Sequence, residues 1–212
     1  LVDADHGYGN ALNVMRTIRE LEHAGVSALT IEDTAQPRRF GQPDPSFTDD
    51  MTRELISTEE MVGKLRAAVA ARTDPTLVIV GRTSALWIED IERTIARVRA
   101  YAATGIDAIF LVGLRNLEQL DAIHAAAGLP IVAPGGVPAS IKLEDLAARG
   151  TRMRVLGHQP LAAAIKALRE TYAHLYSGGA PVALKDRIAT ENEMAALVRD
   201  EKYGTWLREY MR

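Results

Sequence analysis

The fold is decided by the stretch LVDADHGYGN, residues 1–10. It begins as the end of a buried strand and passes into a turn punctuated by Gly7 and Gly9. Side chains alternate between the two faces of a strand, so Asp3 and Asp5 are predicted to point the same way. Two adjacent carboxylates repel each other and lose hydration, which indicates a bound proton or a hard cation such as Mg2+. The alternative is that one aspartate caps the next helix and the other is solvated.

The composition is ordinary for one globular α/β domain, with 212 residues, 47% of them apolar and 25% charged. A formal net charge of −3 indicates no broad basic surface for nucleic acid. The absence of cysteine excludes disulfides, thiolate metal sites and cysteine nucleophiles within these residues. No run of about 18 apolar residues predicts a membrane span. We expect a cytoplasmic protein that binds neither nucleic acid nor membrane.

Six short apolar runs recur along the chain, and amphipathic helical stretches separate them. The runs are Leu1–Val2, Ala28–Ile31, Leu77–Val80, Ala108–Val112, Pro130–Ala133 and Met153–Leu156. This alternation predicts a parallel sheet covered on both faces. An eight-stranded barrel needs two more units, so the chain predicts either an open sheet or a barrel without its first two units. Open sheets usually carry a GxGxxG first turn, which is not present here.

Capping residues predict where the helices begin and end. The predicted helices run from Asn10 to Ala24, from the Ser57–Glu60 capping box, from Ile88 to Thr104, from Asn116 to Gly128, after Ser140, and from about Pro160 to Tyr176. Beyond a break at Ser177–Pro181, a second capping box at Thr190–Glu193 opens another helix. Trp206, Leu207 and Tyr210 add apolar surface there, which indicates a helix folded back on the domain or, as we favour, a subunit contact.

Polar side chains follow the predicted strands. The strand ends carry Asp3 and Asp5, Glu32 and Asp33, Arg82, Gly113, Pro134–Gly136 and His158. Barrels and open sheets both place their chemistry at this edge. Asp3, Asp5, Glu32, Asp33 and Arg82 would lie together at this edge, which we call the mouth. Four carboxylates and one arginine there predict Mg2+ and an anionic substrate whose carboxylate the arginine binds. Several of these residues also have a purely structural explanation. Glu32 and Asp33 could cap a turn, Arg82 could pair with an acid, and His158 could donate a hydrogen bond to the backbone.

Two connections at this mouth are candidates for substrate contact. The turn at Gly7 to Gly9 is tight enough to let backbone approach a ligand, so Gly7 and Tyr8 are candidate substrate contacts. The connection from Thr34 to about Ser57 is long for a compact domain. We interpret it as a lid over the site, with an ordered surface excursion as the alternative.

The segments Asp3–Asn10, Ile31–Asp33 and Gly81–Thr83 together resemble the isocitrate lyase/phosphoenolpyruvate mutase superfamily. The resemblance extends from Leu1 to about Tyr176. It implies a (β/α)8 TIM-type barrel whose first two βα units are absent from this sequence. It implies a barrel domain at 1–176 and a C-terminal helical extension at 177–212. The extension would be exchanged between paired subunits of a homotetramer, a dimer of dimers.

The resemblance also implies roles for individual residues. Asp5 would ligate Mg2+, with Mn2+ as the possible substitute, and Asp3 and Glu32 would hold its waters. Arg82 would bind the carboxylate of an α-keto acid. The implied chemistry passes through an enolate-like intermediate.

One departure from the superfamily pattern narrows the expected reaction. Its lyases carry Lys-Lys/Arg-Cys-Gly-His on the loop, with the cysteine as proton donor. Here the matching stretch is Pro37–Gln42, and Phe40 takes the cysteine position. Phenylalanine cannot transfer a proton, which argues against isocitrate and methylisocitrate lyase activity. A Phe-Gly loop together with Gly157 and His158 is similar to the oxaloacetate decarboxylase branch.

Decarboxylation of a β-keto acid is consistent with the missing cysteine, because carbon dioxide leaves without protonation. Mg2+ would stabilise the enolate. Arg82 and His158 are the candidate catalytic residues, and His158 would hydrogen-bond the departing carboxylate or protonate the enolate. We expect Mg2+-dependent conversion of oxaloacetate or a similar acid to pyruvate and carbon dioxide. The alternatives are another lyase, a phosphonomutase or an acylpyruvate hydrolase of the same superfamily, or a non-catalytic keto-acid-binding homologue.

Overall fold

The computed structural model describes residues 1–36, 54–157 and 159–211. By internal contacts the chain divides into two units, Leu1–Gly157 and His158–Arg212. The helix predicted to end at Tyr176 groups with the second unit, and the predicted domain boundary after residue 176 stays a prediction.

Six parallel strands form one sheet in the first unit. They are β1 (Val2–Asp3), β2 (Ala28–Glu32), β3 (Val78–Thr83), β4 (Ala108–Leu111), β5 (Ile131–Pro134) and β6 (Thr151–Val155). Their order in the sheet follows their order in the chain, and every neighbouring pair is parallel. An open doubly wound sheet reverses its strand order at a switch point, whereas a barrel does not. The predicted parallel sheet is confirmed, and its winding is that of a barrel.

The described residues of the first unit form five α-helices. They are α1 (Ala11–His23), α2 (Thr58–Ala71), α3 (Ile91–Ala102), α4 (Leu117–Ala127) and α5 (Leu143–Ala148). The predicted caps Ser57 and Asn116 each accept a hydrogen bond from a backbone N–H of the first turn, and so does Asn10, which was predicted as the first residue of α1. The prediction that α3 begins at Ile88 is wrong, because the Asp90 side chain caps it and a short 3-10 turn precedes it.

Helices α1 to α5 contribute their buried residues to one face of the sheet. That core includes Ile18, Leu65, Val98, Ile123 and Leu146 from the helices and Leu29, Ile31, Ile79, Ile109 and Leu111 from the strands. The opposite face carries a smaller cluster of Val80, Ala108, Phe110, Val112 and Val132. Consecutive strand residues therefore face different layers. This alternation decides which polar residues meet at the strand ends.

The second unit contains α6 (Gln159–Tyr176), α7 (Glu191–Leu197) and α8 (Asp200–Tyr210). The capping box predicted at Thr190 is present, with Thr190 and Glu193 each accepting from the other's backbone N–H. Several large apolar side chains are exposed, namely Leu161, Ile165, Leu168 and Tyr172 on α6 and Leu197, Leu207 and Tyr210 on α7 and α8. Within the described ranges, no helix combines the length and apolarity needed to cross a membrane.

Candidate active site

The ends of β1, β2 and β3 place three charged side chains on one face of the sheet. In the strand register, Asp3 lies opposite Thr30, Glu32 opposite Arg82, and Arg82 opposite Phe110. Side chains at matched positions of parallel strands share a face. Asp3, Glu32 and Arg82 therefore lie on the face that carries the small apolar cluster, away from helices α1 to α5.

Arg82 is the centre of this group. Its Nη1 donates to Asp3 Oδ2 at 2.6 Å, and its Nε lies 3.0 Å from Glu32 Oε2. Its guanidinium carbon lies 5.3 Å from the centroid of the Phe110 ring, within the range of a cation–π contact. Arg82 therefore pairs with two acids, as the structural alternative to substrate binding predicted. The Nε–H is buried and is not aligned for a hydrogen bond with Glu32, so the contact between Arg82 and Glu32 is an ion pair.

Asp5 reaches the same place by a turn. Strand β1 ends at Asp3, so strand alternation does not extend to Asp5. Instead, the Asp5 N–H donates to Asp3 Oδ1 at 3.0 Å, and the Asp5 carbonyl accepts from the Glu32 N–H at 2.7 Å. Asp5 has a φ of 45°, in the left-handed region that is uncommon for residues other than glycine. The structure thus brings Asp3, Glu32 and Arg82 into contact and places Asp5 beside Asp3 and Glu32 through its backbone, and the roles predicted for these residues stay predictions.

The electrostatics of this group favour a bound cation. Burial raises the pKa of Glu32, the charges of Asp3 and Asp5 raise it further, and Arg82 opposes them. Asp3 and Glu32 pair with one guanidinium, and Asp5 lies near enough for its charge to act on Glu32, which leaves an excess of negative charge. The donors are all oxygens, which suit Mg2+.

Direct coordination by all of these acids does not match the geometry. Among the residues that the structure describes, no three His, Cys, Asp or Glu side chains are grouped closely enough to hold a metal ion. Mg2+ in proteins usually touches one or two carboxylates and keeps several waters. The acids therefore fit Mg2+ held by few direct ligands, with the others contacting its waters.

Asp33 does not belong to this mouth, which corrects the prediction of four carboxylates there. It follows Glu32 directly and faces the helix-covered side of the sheet, where it is fully buried. Its Oδ2 accepts from Thr83 Oγ1 at 2.6 Å and from the Tyr101 hydroxyl at 2.9 Å. Burial raises the pKa of Asp33, and these two hydrogen bonds oppose the shift. Three of the four predicted carboxylates thus share the mouth.

The turn at Gly7 and Tyr8 has a packing explanation. A Cβ at Gly7 would lie 2.4 Å from Cγ2 of Val14, and Gly7 has a φ of 80°. Tyr8 is exposed and borders a groove of about 290 Å3 along α1, which is lined by Tyr8, Asn13, Arg16, Thr17, Glu20 and Leu21. This groove is lined by none of the acids of the mouth. Substrate contact by Gly7 and Tyr8 stays a prediction.

Two predicted features lie outside the described residues. These are His158 and the stretch 37–53, which holds Phe40 and most of the predicted lid. The residues that flank this stretch are paired, since Thr34 forms an antiparallel bridge with Leu55 and the Ala35 N–H donates to the Glu54 carbonyl at 2.7 Å. The two ends of the predicted lid therefore meet beside Asp33.

Sequence reasoning missed Lys64 on α2. This lysine is 4% exposed, and its Nζ donates to the His6 carbonyl at 3.2 Å, in the turn that carries Asp5. Burial lowers the pKa of Lys64. A signal was available, because Lys64 lies beside Met61 and Leu65 on the apolar face of the helix, where an unpaired charge is unfavourable.

Comparisons with known proteins agree with this geometry. The sequence matches the family described as phosphoenolpyruvate phosphomutase over residues 1–176. An oxaloacetate decarboxylase of Bradyrhizobium diazoefficiens (strain JCM 10833 / USDA 110) is 49% identical over 192 residues. The alignment covers 90% of this chain and 64% of that protein, so the chain spans just under two thirds of that relative.

Solved structures are also similar. A phosphoenolpyruvate phosphomutase from Streptomyces platensis subsp. rosaceus matches with a TM-score of 0.79 at 31% identity, covering 100% of this chain and 73% of that chain. A phosphonopyruvate hydrolase in complex with oxalate and Mg2+ matches with a TM-score of 0.78 at 28% identity, with the same coverage. The similarity thus extends over both described units of the chain.

Proposed function

This chain belongs to the phosphoenolpyruvate phosphomutase family, and we propose that within it the protein decarboxylates oxaloacetate or a similar β-keto acid with Mg2+. The observation that carries the proposal is the placement of Arg82. Its guanidinium lies between Asp3 and Glu32 at the strand ends, beside the ring of Phe110. A cation site beside an arginine suits a small dicarboxylate.

The choice of reaction within the family rests on similarity. The relative named oxaloacetate decarboxylase is 49% identical to this chain, whereas the phosphomutase and the phosphonopyruvate hydrolase are 31% and 28% identical. Phe40 supports the same choice, because a phenylalanine cannot protonate the leaving group that the lyases of the superfamily release. Carbon dioxide leaves without a proton.

Different residues of the mouth would bind the metal and the substrate. Asp5 would hold Mg2+, or Mn2+, directly, and Asp3 and Glu32 would hold its waters. When bound, the ion would draw negative charge onto the keto oxygen of the substrate. Arg82 would bind the substrate carboxylate beside the keto group, which orients the acid in the mouth.

The bond that breaks joins the methylene carbon to the distal carboxylate. Its electron pair stays on the methylene carbon as the enolate of pyruvate, and the carboxylate leaves as carbon dioxide. A proton then adds to that carbon and yields pyruvate. We assign His158 either to a hydrogen bond with the departing carboxylate or to this protonation. Gly7 and Tyr8 remain candidate substrate contacts.

The finer fold and assembly predictions form part of this proposal. We propose that β1 to β6 are the third to eighth strands of a (β/α)8 barrel, which is supported by their sequential order and by the coverage of 73% of the phosphomutase chain. We also propose that residues 177–212 contribute to a homotetramer, since exposed apolar side chains recur there. A cytoplasmic location stays a prediction.

The test is an assay of purified full-length protein with Mg2+ and oxaloacetate, in which pyruvate is measured. We expect pyruvate above the background that Mg2+ alone produces, and loss of that excess in Asp5→Asn. Pyruvate at the metal-only rate would contradict the proposal. Turnover of phosphonopyruvate without turnover of oxaloacetate would instead favour the phosphonopyruvate chemistry of the structural relatives.

A further inference from the structure

A buried polar cluster lies on the helix-covered side of the sheet, directly behind the mouth. Asp33 accepts hydrogen bonds from Thr83 Oγ1, from the Tyr101 hydroxyl and from the Ser84 N–H, the last at 3.3 Å. Arg97 Nη1 lies 3.6 Å from Asp33 Oδ2. Asp33 is 0% exposed and Arg97 is 7% exposed, so this cluster is out of reach of any substrate at the mouth.

The cluster is built on the same two strand ends as the mouth. Glu32 and Asp33 are consecutive, and so are Arg82 and Thr83. Glu32 lies opposite Arg82 in the register, and the Asp33 N–H donates to the Arg82 carbonyl at 3.2 Å. The Asp33–Thr83 hydrogen bond therefore crosses from β2 to β3 on one face, immediately behind the Glu32–Arg82 ion pair on the other.

Arg97 of α3 completes the cluster. It donates to Glu89 through Nη2 at 2.7 Å and through Nε at 3.2 Å, and to the Tyr101 hydroxyl at 2.9 Å. It also donates to the Ile56 carbonyl at 3.1 Å, and the Ile56 N–H donates to the Asp33 carbonyl at 2.9 Å. A helix and the chain that returns to α2 are thus fixed to the end of β2.

Stability alone is a weak reason for such a cluster. Buried ion pairs lose hydration, and well-packed apolar residues of similar volume are often as stable or more so. A fully satisfied buried network instead fixes geometry, because each member has few alternative arrangements. The geometry that this network fixes is the spacing of β2 and β3 at the mouth.

We propose that Asp33 is a positioning residue, which through its hydrogen bond to Thr83 holds Glu32 and Arg82 at the separation needed to receive metal and substrate. The inference rests on the proposed function for its kinetic part. Its metal-binding part can be measured without turnover.

The test uses substitutions on both sides of the bond. Thr83→Val removes the hydroxyl and keeps the shape, Thr83→Ser restores the hydroxyl, and Asp33→Asn exchanges one acceptor oxygen for a donor. Tyr101→Phe removes the second hydroxyl and serves if Asp33→Asn does not fold. Each full-length variant is assayed at a temperature where circular dichroism shows it folded.

Asp107→Asn is the matched control. Asp107 Oδ2 accepts from Arg72 Nη1 at 2.7 Å and from the Ile79 N–H at 2.8 Å, so it also joins two elements of the sheet layer. These contacts lie at the N-terminal ends of β3 and β4, the end of a barrel at which residues contribute to stability rather than to chemistry. A loss of stability without positioning should therefore appear in Asp107→Asn.

Two readouts are compared, the oxaloacetate kinetics and the Mn2+ dissociation constant measured by electron paramagnetic resonance without substrate. We expect Thr83→Val and Asp33→Asn to weaken Mn2+ binding and lower kcat/KM by about 10-fold, since groups that orient metal ligands typically contribute about 10- to 100-fold. Thr83→Ser should restore both, and Asp107→Asn should lower the melting temperature alone.

The inference is overturned if Thr83→Val, Asp33→Asn and Tyr101→Phe lower the melting temperature but leave the Mn2+ dissociation constant, KM and kcat at wild-type values. A wild-type protein that binds Mn2+ but does not turn over oxaloacetate would contradict the proposed function. In that case the Mn2+ comparison between Thr83→Val and Thr83→Ser would still decide the positioning role.

Discussion

Arg82 and Asp3 lie 79 positions apart in the sequence, yet Arg82 Nη1 and Asp3 Oδ2 are 2.6 Å apart at the strand ends. Glu32 contacts the same guanidinium through Nε at 3.0 Å. The planar guanidinium reaches the two acids through separate N–H groups in fixed directions, whereas a lysine would have to reach both acids from one nitrogen. The identity of residue 82 should therefore matter beyond its charge.

Arg82→Lys is expected to lower kcat/KM for oxaloacetate about 10- to 100-fold, since a hydrogen bond to a charged group contributes about 1.5–3 kcal/mol. Steady-state kinetics at saturating Mg2+ give the ratio. Arg72→Lys is the control, because Arg72 pairs with Asp107 at the other end of the sheet at 2.7 Å. An Arg82→Lys protein with wild-type kcat/KM would remove Arg82 from substrate binding.

Mg2+ is expected to stabilise the folded protein, because the mouth holds the carboxylates of Asp3, Glu32 and nearby Asp5 against the single positive charge of Arg82. At 100 times the dissociation constant a ligand adds about 2.7 kcal/mol, which is about 5 to 10 °C in melting temperature for a chain of this size. Asp5→Asn should abolish this increase. Asparagine tolerates the left-handed backbone, so the φ of 45° at Asp5 need not change.

The metal prediction is checked by thermal unfolding in Mg2+ and in EDTA. Asp121→Asn is the control, since Asp121 pairs with Arg149 at 3.0 Å on the surface of α4. An equal melting temperature in Mg2+ and EDTA, or an Asp5→Asn protein that responds like the wild type, would argue against a cation at these acids.

Most of the strands could be predicted because they contain a continuous apolar run, whereas β6 alternates Arg152 and Arg154 with Met153 and Val155. The position of Asp33 could also have been predicted, because Ile31 and Asp33 share one face by alternation while Thr30 and Glu32 share the other. A single acidic cluster of Glu32 and Asp33 is incompatible with this alternation. The partners of Asp33 were beyond sequence reasoning, since Tyr101 lies 68 positions away and only packing of α3 brings its hydroxyl to the carboxylate.

Asp5 illustrates the opposite case. Its place in the mouth was predicted, but by an alternation that ends with β1 at Asp3. The turn that delivers it depends on a left-handed conformation at Asp5 itself and on the Lys64 contact to His6. Neither a backbone angle of this kind nor a contact over 58 positions has a sequence pattern of its own.

His158→Ala is expected to lower kcat more than it raises KM, because a group that hydrogen-bonds the departing carboxylate or protonates the enolate acts in the transition state rather than in binding. The kinetics of oxaloacetate decarboxylation at several pH values would provide both constants. His23→Ala, at the end of α1, is the control. An unchanged kcat in His158→Ala would reduce His158 to a structural residue.

Glu22 on α1 lies away from the mouth, and its ionisation is expected to make the free energy of unfolding depend on pH. Its carboxylate accepts from the Asp74 N–H, from the Thr73 N–H at 2.9 Å and from the Thr73 hydroxyl at 2.8 Å. The hydrogen bond from the Asp74 backbone, followed by that from the Thr73 hydroxyl, lowers the pKa of Glu22 below its ordinary 4.5. The contact therefore stabilises the fold above that value and is lost as the pH falls through the folded pKa.

Glu22→Gln should accordingly lower the urea midpoint at pH 7, and the difference from the wild type should shrink below the ordinary pKa of about 4.5. Equilibrium unfolding by circular dichroism across this pH range measures it. Glu20→Gln is the control, because its exposed pair with Arg16 at 3.6 Å is of a kind that contributes little. A gap that stays constant with pH would mean that shape, not ionisation, sets the contribution of Glu22.

Leu207 on α8 tests whether the exposed apolar side chains of residues 177–212 form a subunit contact. It is 54% exposed within one chain, so a charge there should leave the helix folded. Burying a leucine contributes about 1.5–3 kcal/mol and burying an unpaired charge costs more, so Leu207→Glu should dissociate an assembly that covers this position.

Light scattering of the full-length protein should then give a smaller mass, as should removal of the residues after Gly179. Glu209→Gln, on the same helix, should keep the wild-type mass. An unchanged mass in both Leu207→Glu and the truncated protein would assign these side chains to contacts within one chain.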